Sequence, residues 1–79
     1  MTFSRTELRA AATRHLVPGI RPTQAVVLAV AELQGSPLDL SGFDDAAVLL
    51  RSERLVEDGL APSKALRVAR RECATWAVP

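Results

Sequence analysis

Gly19-Ile20-Arg21-Pro22-Thr23-Gln24-Ala25 and Gly59-Leu60-Ala61-Pro62-Ser63-Lys64-Ala65 are one pattern written twice, without a gap and 40 residues apart. Each position in it has a mechanical reading. Gly adopts the left-handed backbone cheaply and so stops a preceding helix. Ile20 or Leu60 is an apolar plug beside the turn. Pro22 or Pro62 suits a first helical position, where the missing N–H costs nothing. Thr23 or Ser63 brings a hydroxyl to the free N–H groups of that first turn. The string therefore reads helix, Gly stop, short turn, Pro start, helix, and its two occurrences give four helices.

Working outward, the correspondence extends to Leu8 with Val48, Arg14 with Arg54, Leu16 with Val56, Ala29 with Ala69, and Glu32 with Glu72. The expected helices are Arg5–Val17, Pro22–Gln34, Phe43–Asp58 and Pro62–Trp76. Ser4 and Glu7 make a capping-box pattern for the first. Gly35 stops the second, Ser41 or Asp44 caps the third, and Gly59 stops it. Residues 36–42 are the linker, with Leu38 and Leu40 expected to tuck into the core. The sequence thus predicts a compact all-α, four-helix domain over residues 1–79, with repeat unit one at 4–35 and repeat unit two at 43–76.

Composition agrees with that class. The chain has 79 residues, 48% of them hydrophobic, with two Phe, one Trp and no Tyr. Few aromatics and many alanines favour helices over a β-sandwich. A chain this short has a thin core, so its stability rests on close helix packing or on surface buried against a partner. A single Cys makes no internal disulfide. The N-terminal residues lack the apolar stretch of a secretory signal, and the longest apolar run, Ala25–Ala31, falls far short of the ~20 residues a membrane helix needs. A cytoplasmic protein with no membrane partner is expected.

The parts for catalysis are nearly missing. His15 is the sole histidine, and by the repeat it occupies the inward-leaning place of Leu55, where a hydrogen-bonded structural role is expected. Cys73 lies on an apolar stripe and reads as a buried, inert thiol. Adjacent Asp44 and Asp45 fit a helix start, where the dipole favours acids. There is no glycine-rich phosphate loop, no Cys pair and no nucleophile elbow. No catalytic residue, cofactor or metal ligand is therefore assigned.

Charge is uneven beneath a net of +1: residues 1–24 carry +3, residues 25–62 carry −5, and residues 63–79 carry +3. The basic ends could be drawn to the acidic centre within the fold or in a homodimer. The two second helices differ most. Ala25-Val26-Val27-Leu28-Ala29-Val30-Ala31 is apolar all round, which marks a central helix. Its counterpart is amphipathic: Pro62, Leu66, Ala69, Cys73 and Trp76 line one side. Lys64, Arg67 and Arg71 lie opposite, with Arg70 on the flank. That basic face, with Trp76 as an apolar anchor, is the candidate partner-binding surface.

Gly59-Leu60-Ala61-Pro62-Ser63-Lys64-Ala65-Leu66-Arg67-Val68 resembles the turn and recognition helix of DNA-binding helix-turn-helix proteins. It also looks like the second half of a ribbon-helix-helix antitoxin, and the tandem helices resemble ubiquitin-associated-type modules. The first two resemblances imply a DNA-binding regulator. Against that pattern, Leu55 and His15 stand where a small residue is usual, Leu66 would face the DNA, and a nearly neutral chain lacks the charge that phosphate binding draws on. The reading preferred from sequence is a non-enzymatic interaction module: an adaptor, inhibitor or regulatory partner that binds an acidic protein surface. DNA is the alternative partner.

Overall fold

The computed structural model describes residues 3–77, with side chains through residue 74. Four helices follow one another: α1 (Arg5–His15), α2 (Pro22–Leu33), α3 (Phe43–Glu57) and α4 (Pro62–Ala77). No strand occurs among the described residues. The expected all-α, four-helix domain is what the chain forms. The side chain of Trp76 lies outside the described residues.

α2 is the centre of the arrangement. It packs along α1 and touches both α3 and α4, while α3 packs along α4; among the described residues α1 contacts neither α3 nor α4. Val27, Ala29, Val30 and Ala31 are at most 1% exposed, as an all-apolar helix in the middle of a small domain must be. The core is completed by Val48, Leu49 and Leu55 of α3 and by Ala65, Leu66, Ala69 and Cys73 of α4. The apolar stripe on α4 is therefore its inward face. Phe3, Leu8, Ile20, Leu38 and Leu60 close the periphery. Leu38 packs as expected, whereas Leu40 stays 39% exposed, because the linker turns outward between them.

The helix ends follow local chemistry. Ser4 Oγ accepts the Glu7 N–H at 3.1 Å and opens α1. Gly59, at φ +109°, closes α3: its N–H donates to Val56 and that of Leu60 to the Leu55 carbonyl, the Schellman pattern. Gly35 closes α2 in the same way.

The matching Gly19 does something else. α1 stops at His15, two residues before the expected Val17, because Pro18 disfavours helical backbone at the residue before it. The Ile20 N–H then donates to the Val17 carbonyl at 3.0 Å across Pro18 and Gly19, whose φ is +92°, the pattern of a type II turn. One sequence string thus serves two turn geometries.

The start of α3 also departs from expectation. Gly42 occupies the cap position with no side-chain cap bond. Ser41 is held instead by Asp39, whose Oδ1 accepts its N–H at 3.0 Å and its hydroxyl at 2.6 Å. Those bonds hold the Asp39 carboxyl below its ordinary range, the Ser41 hydroxyl contributing most. Asp45 Oδ2 accepts the Asp39 N–H at 2.6 Å and ties the linker to the helix it precedes. Asp44 and Asp45 do sit in the first turn, where the helix dipole favours them.

Candidate functional site

Three charge clusters decide which surface the molecule leaves open. The first is a buried carboxylate. Glu53 of α3 is only 3% exposed, yet both its oxygens accept hydrogen bonds from residues at the start of α2. Arg21 donates from Nη2 to Oε2 at 2.8 Å, and its Nε is in ion-pair contact with Oε1 at 2.8 Å. Thr23 Oγ1 donates to Oε1 at 3.1 Å, and Gln24 Nε2 to Oε2 at 2.9 Å. Gln24 is oriented in turn by accepting the Arg21 N–H on its Oε1 at 3.2 Å. The Thr23 hydroxyl, expected to serve its own helix start, is directed to Glu53.

Sequence reading missed this clamp, although a signal existed. Glu53 is four residues after Leu49 and three before Val56, within the inward stripe of α3. Ser52, between Val48 and Leu55 by the same spacing, is fully buried, and its hydroxyl has no hydrogen-bond partner among the described residues.

The second cluster lies on the α1–α2 side. Arg14 donates to both oxygens of Glu32, at 3.4 and 2.7 Å. His15 Nε2 is 3.3 Å from Glu32 Oε1, near enough to feel its charge but not aligned for a hydrogen bond. The Arg14 hydrogen bond is the main reason the Glu32 carboxyl sits below its ordinary value. The lone histidine therefore leans on a surface ion pair. The third cluster joins α3 to α4: Arg51 Nε donates to Glu72 Oε2 at 2.6 Å and Nη2 to Oε1 at 3.4 Å, which raises the Arg51 pKa.

These pairings take up Glu32, Glu53 and Glu72, while Glu57 and Asp58 at the end of α3 enter none of them. Lys64, Arg67 and Arg71 are exposed on the outer face of α4. Among the described residues Lys64 and Arg67 enter no ion pair or side-chain hydrogen bond. Arg70 on the flank is half-buried and donates from Nη2 to the Ser36 carbonyl at 2.7 Å, so it pins the linker to α4 while keeping its charge beside the face. Arg67 and Arg70 border a shallow hollow with Gln34, Ser63 and Leu66. The four basic residues predicted as the binding surface are thus brought together on one side.

Cys73 is 9% exposed, and burial pushes its thiol pKa up, so the reactive thiolate is disfavoured. No group of His, Cys, Asp or Glu among the described residues is placed to hold a metal ion. No described helix is long and apolar enough to cross a membrane.

Two apolar surfaces escaped the sequence reading. A groove between α1 and α2 is lined by Leu8, Ala12, Leu16, Pro22, Ala25 and Val26 and bordered by Arg5 and Arg9. On α3, Phe43 is 86% and Leu50 56% exposed. Both were legible from phase, since Phe43 and Leu50 fall opposite Val48, Ser52 and Leu55 on a 3.6-residue helix. Comparison with protein-family models, with curated proteins and with solved structures finds no match to this chain.

Proposed function

We propose that the chain is a non-catalytic helical interaction module that docks an acidic protein surface on the outer face of α4. Lys64, Arg67 and Arg71 make the contact and Arg70 is fixed alongside. The observation that carries this reading is the state of Lys64 and Arg67. They are exposed and without ion-pair partners among the described residues, while Glu53 is taken by Arg21 and Glu72 by Arg51. The internal alternative was that α3 acids quench the α4 cations. Of the three acids it invoked, Glu53, Glu57 and Asp58, Glu53 is taken by Arg21 on another side of the helix.

Two exposed guanidiniums on one helix face suit carboxylates, which Arg grips bidentately. A non-enzymatic role is further supported by the lone histidine resting on Glu32 and the lone cysteine being buried. The alternative of a helix-turn-helix DNA reader is weakened by Leu66. That residue would have to face the groove and is 1% exposed. A net charge of +1 also gives little of the phosphate attraction on which DNA binding rests.

The test uses the full chain as bait in cell extract, with and without nuclease, beside the variant Arg67→Glu/Arg71→Glu. The expected result is a set of proteins with acidic surfaces retained by the parent chain, lost by the variant and indifferent to nuclease. The variant should keep the parent helical circular dichroism. Retention unchanged by charge reversal, or abolished by nuclease, overturns the proposal.

A further inference from the structure

The outer face of α3 carries Phe43 at its start, Leu50 near its middle, and Arg54 with Glu57 at its end, all of them exposed. Phe43 projects at the start of the helix, 86% exposed, and Leu50 is 56% exposed two turns on. Asp44 and Arg54 are exposed at opposite ends, and among the described residues neither makes an ion pair or side-chain hydrogen bond. Between the ends, Ala47, Leu50, Arg51 and Arg54 border a shallow hollow.

We propose that this face pairs with the same face of a second copy, the two α3 helices running antiparallel. A two-fold axis crossing α3 midway between Ala47 and Leu50 sets Phe43 opposite the partner's Arg54, and Ala47 opposite the partner's Leu50. Each Phe43 enters the other copy's hollow, with its ring against the Arg54 guanidinium, a cation–π contact. Asp44 lies at the edge of the face, within one residue of register from the partner's Arg54, so each copy sets this acid against the other's Arg54, while Arg51 stays with Glu72. A two-fold requires such self-complementarity, in which residue i meets j and j meets i. Phe43 and Asp44 at one end and Arg54 at the other provide it. A parallel pairing would put like charges together.

The contact is small. A 15-residue helix is about 22 Å long. One face of it covers a few hundred Å² per copy, below the roughly 800 Å² of a standard interface. The dimer is therefore weak, with a dissociation constant above about 1 μM. This inference does not rest on the α4 reading, since the two faces are on different helices and use different residues.

Sedimentation equilibrium of the full chain, from about 10 μM to about 1 mM, reads the association directly. The expected mass rises from 8.5 kDa toward twice that value. Phe43→Ala and Leu50→Asp should each hold the chain monomeric while leaving its melting temperature and helical spectrum in place. Asp44→Arg and Arg54→Asp should each weaken the dimer at least tenfold, and the two together in one chain should restore it. A mass that stays at 8.5 kDa throughout overturns the proposal. So does a dimer that ignores the α3 variants and is lost with Leu16→Asp, which would place the second copy on the α1–α2 groove. A double charge swap that fails to restore association refutes the antiparallel geometry.

Discussion

Arg21→Ala is the substitution whose effect the structure and a surface inspection would judge most differently. The Arg21 side chain is 64% exposed, and truncating an exposed arginine ordinarily changes stability by no more than about 0.5 kcal/mol. Its partner, however, is a carboxylate that is 3% exposed. Removing Arg21 takes a charge-assisted bond and an ion-pair contact from Glu53 and leaves a buried anion with two neutral donors, Thr23 and Gln24. Breaking a buried pair from one side costs about 3–5 kcal/mol. The guanidinium is itself largely exposed and water can enter where it stood, so the cost falls below that range, roughly 2–3 kcal/mol.

For a domain of this size that is a fall in melting temperature of about 10–20 °C. Thermal and urea melts followed by circular dichroism measure it. Glu53→Ala should cost a similar amount, because it strands the buried Gln24 amide without its acceptor, a penalty of about 1–3 kcal/mol. The Arg21→Ala/Glu53→Ala chain should then cost less than the two single losses added, by about 1–2 kcal/mol. An Arg21→Ala protein melting within 2–3 °C of the parent (about 0.5 kcal/mol) would refute the clamp as a determinant of the fold.

Two further outcomes follow from the same geometry. Val27→Asp or Val30→Asp should abolish the cooperative melt, since an unpaired charge placed at the centre of α2 costs several kcal/mol; Arg67→Asp should leave the melt within about 0.5 kcal/mol, and equal tolerance at both sites would refute α2 as the core helix. Because the Arg14 hydrogen bond holds the Glu32 carboxyl below its ordinary value of 4.5, its stabilising contribution is complete above that pH and is lost as pH falls through the lowered value. The stability gap between the parent and Arg14→Ala should accordingly be open at pH 7 and close on acidification below 4.5, and a gap independent of pH would refute it.

What could be read from the residues was whatever a local rule determines. Pro22 and Pro62 start helices, Gly35 and Gly59 end them, and an all-apolar α2 has to lie in the middle. Two local rules in conflict produced the errors in boundary. At the end of α1 the Gly19 stop was anticipated, but Pro18 acts one residue earlier and releases the chain from the helix sooner. At the start of α3 the hydroxyl of Ser41 was available as a cap, yet Asp39 is nearer and claims it. The Glu53 clamp failed for a different reason. Its partners are 29 to 32 residues away, and counting charges treats every glutamate as solvated unless its helical phase is also read. The basic face of α4 was legible because amphipathicity is periodic: Lys64, exposed, and Leu66, buried, fall on opposite sides of a 3.6-residue helix.

The two occurrences of the turn string differ in what covers the helix start that follows each of them. In unit one, the residues around Pro22 (Arg21, Thr23 and Gln24) all turn to an acid that α3 lays over them. In unit two, the corresponding residues are Ala61, Ser63 and Lys64, and all three are exposed. The acid has a counterpart as well: Glu53 corresponds to Thr13 of α1, whose hydroxyl donates to its own helix at the Arg9 carbonyl, 2.8 Å away. A fold that kept the repeat symmetric would lay α1 over the start of α4 as α3 lies over the start of α2. Among the described residues α1 touches only α2, so nothing from the chain's first helix covers α4. With no acid from α1 over this helix start, Lys64 and Arg67 face outward among the described residues. On the proposed reading, charge reversal at Arg67 and Arg71 should act on binding and spare the fold.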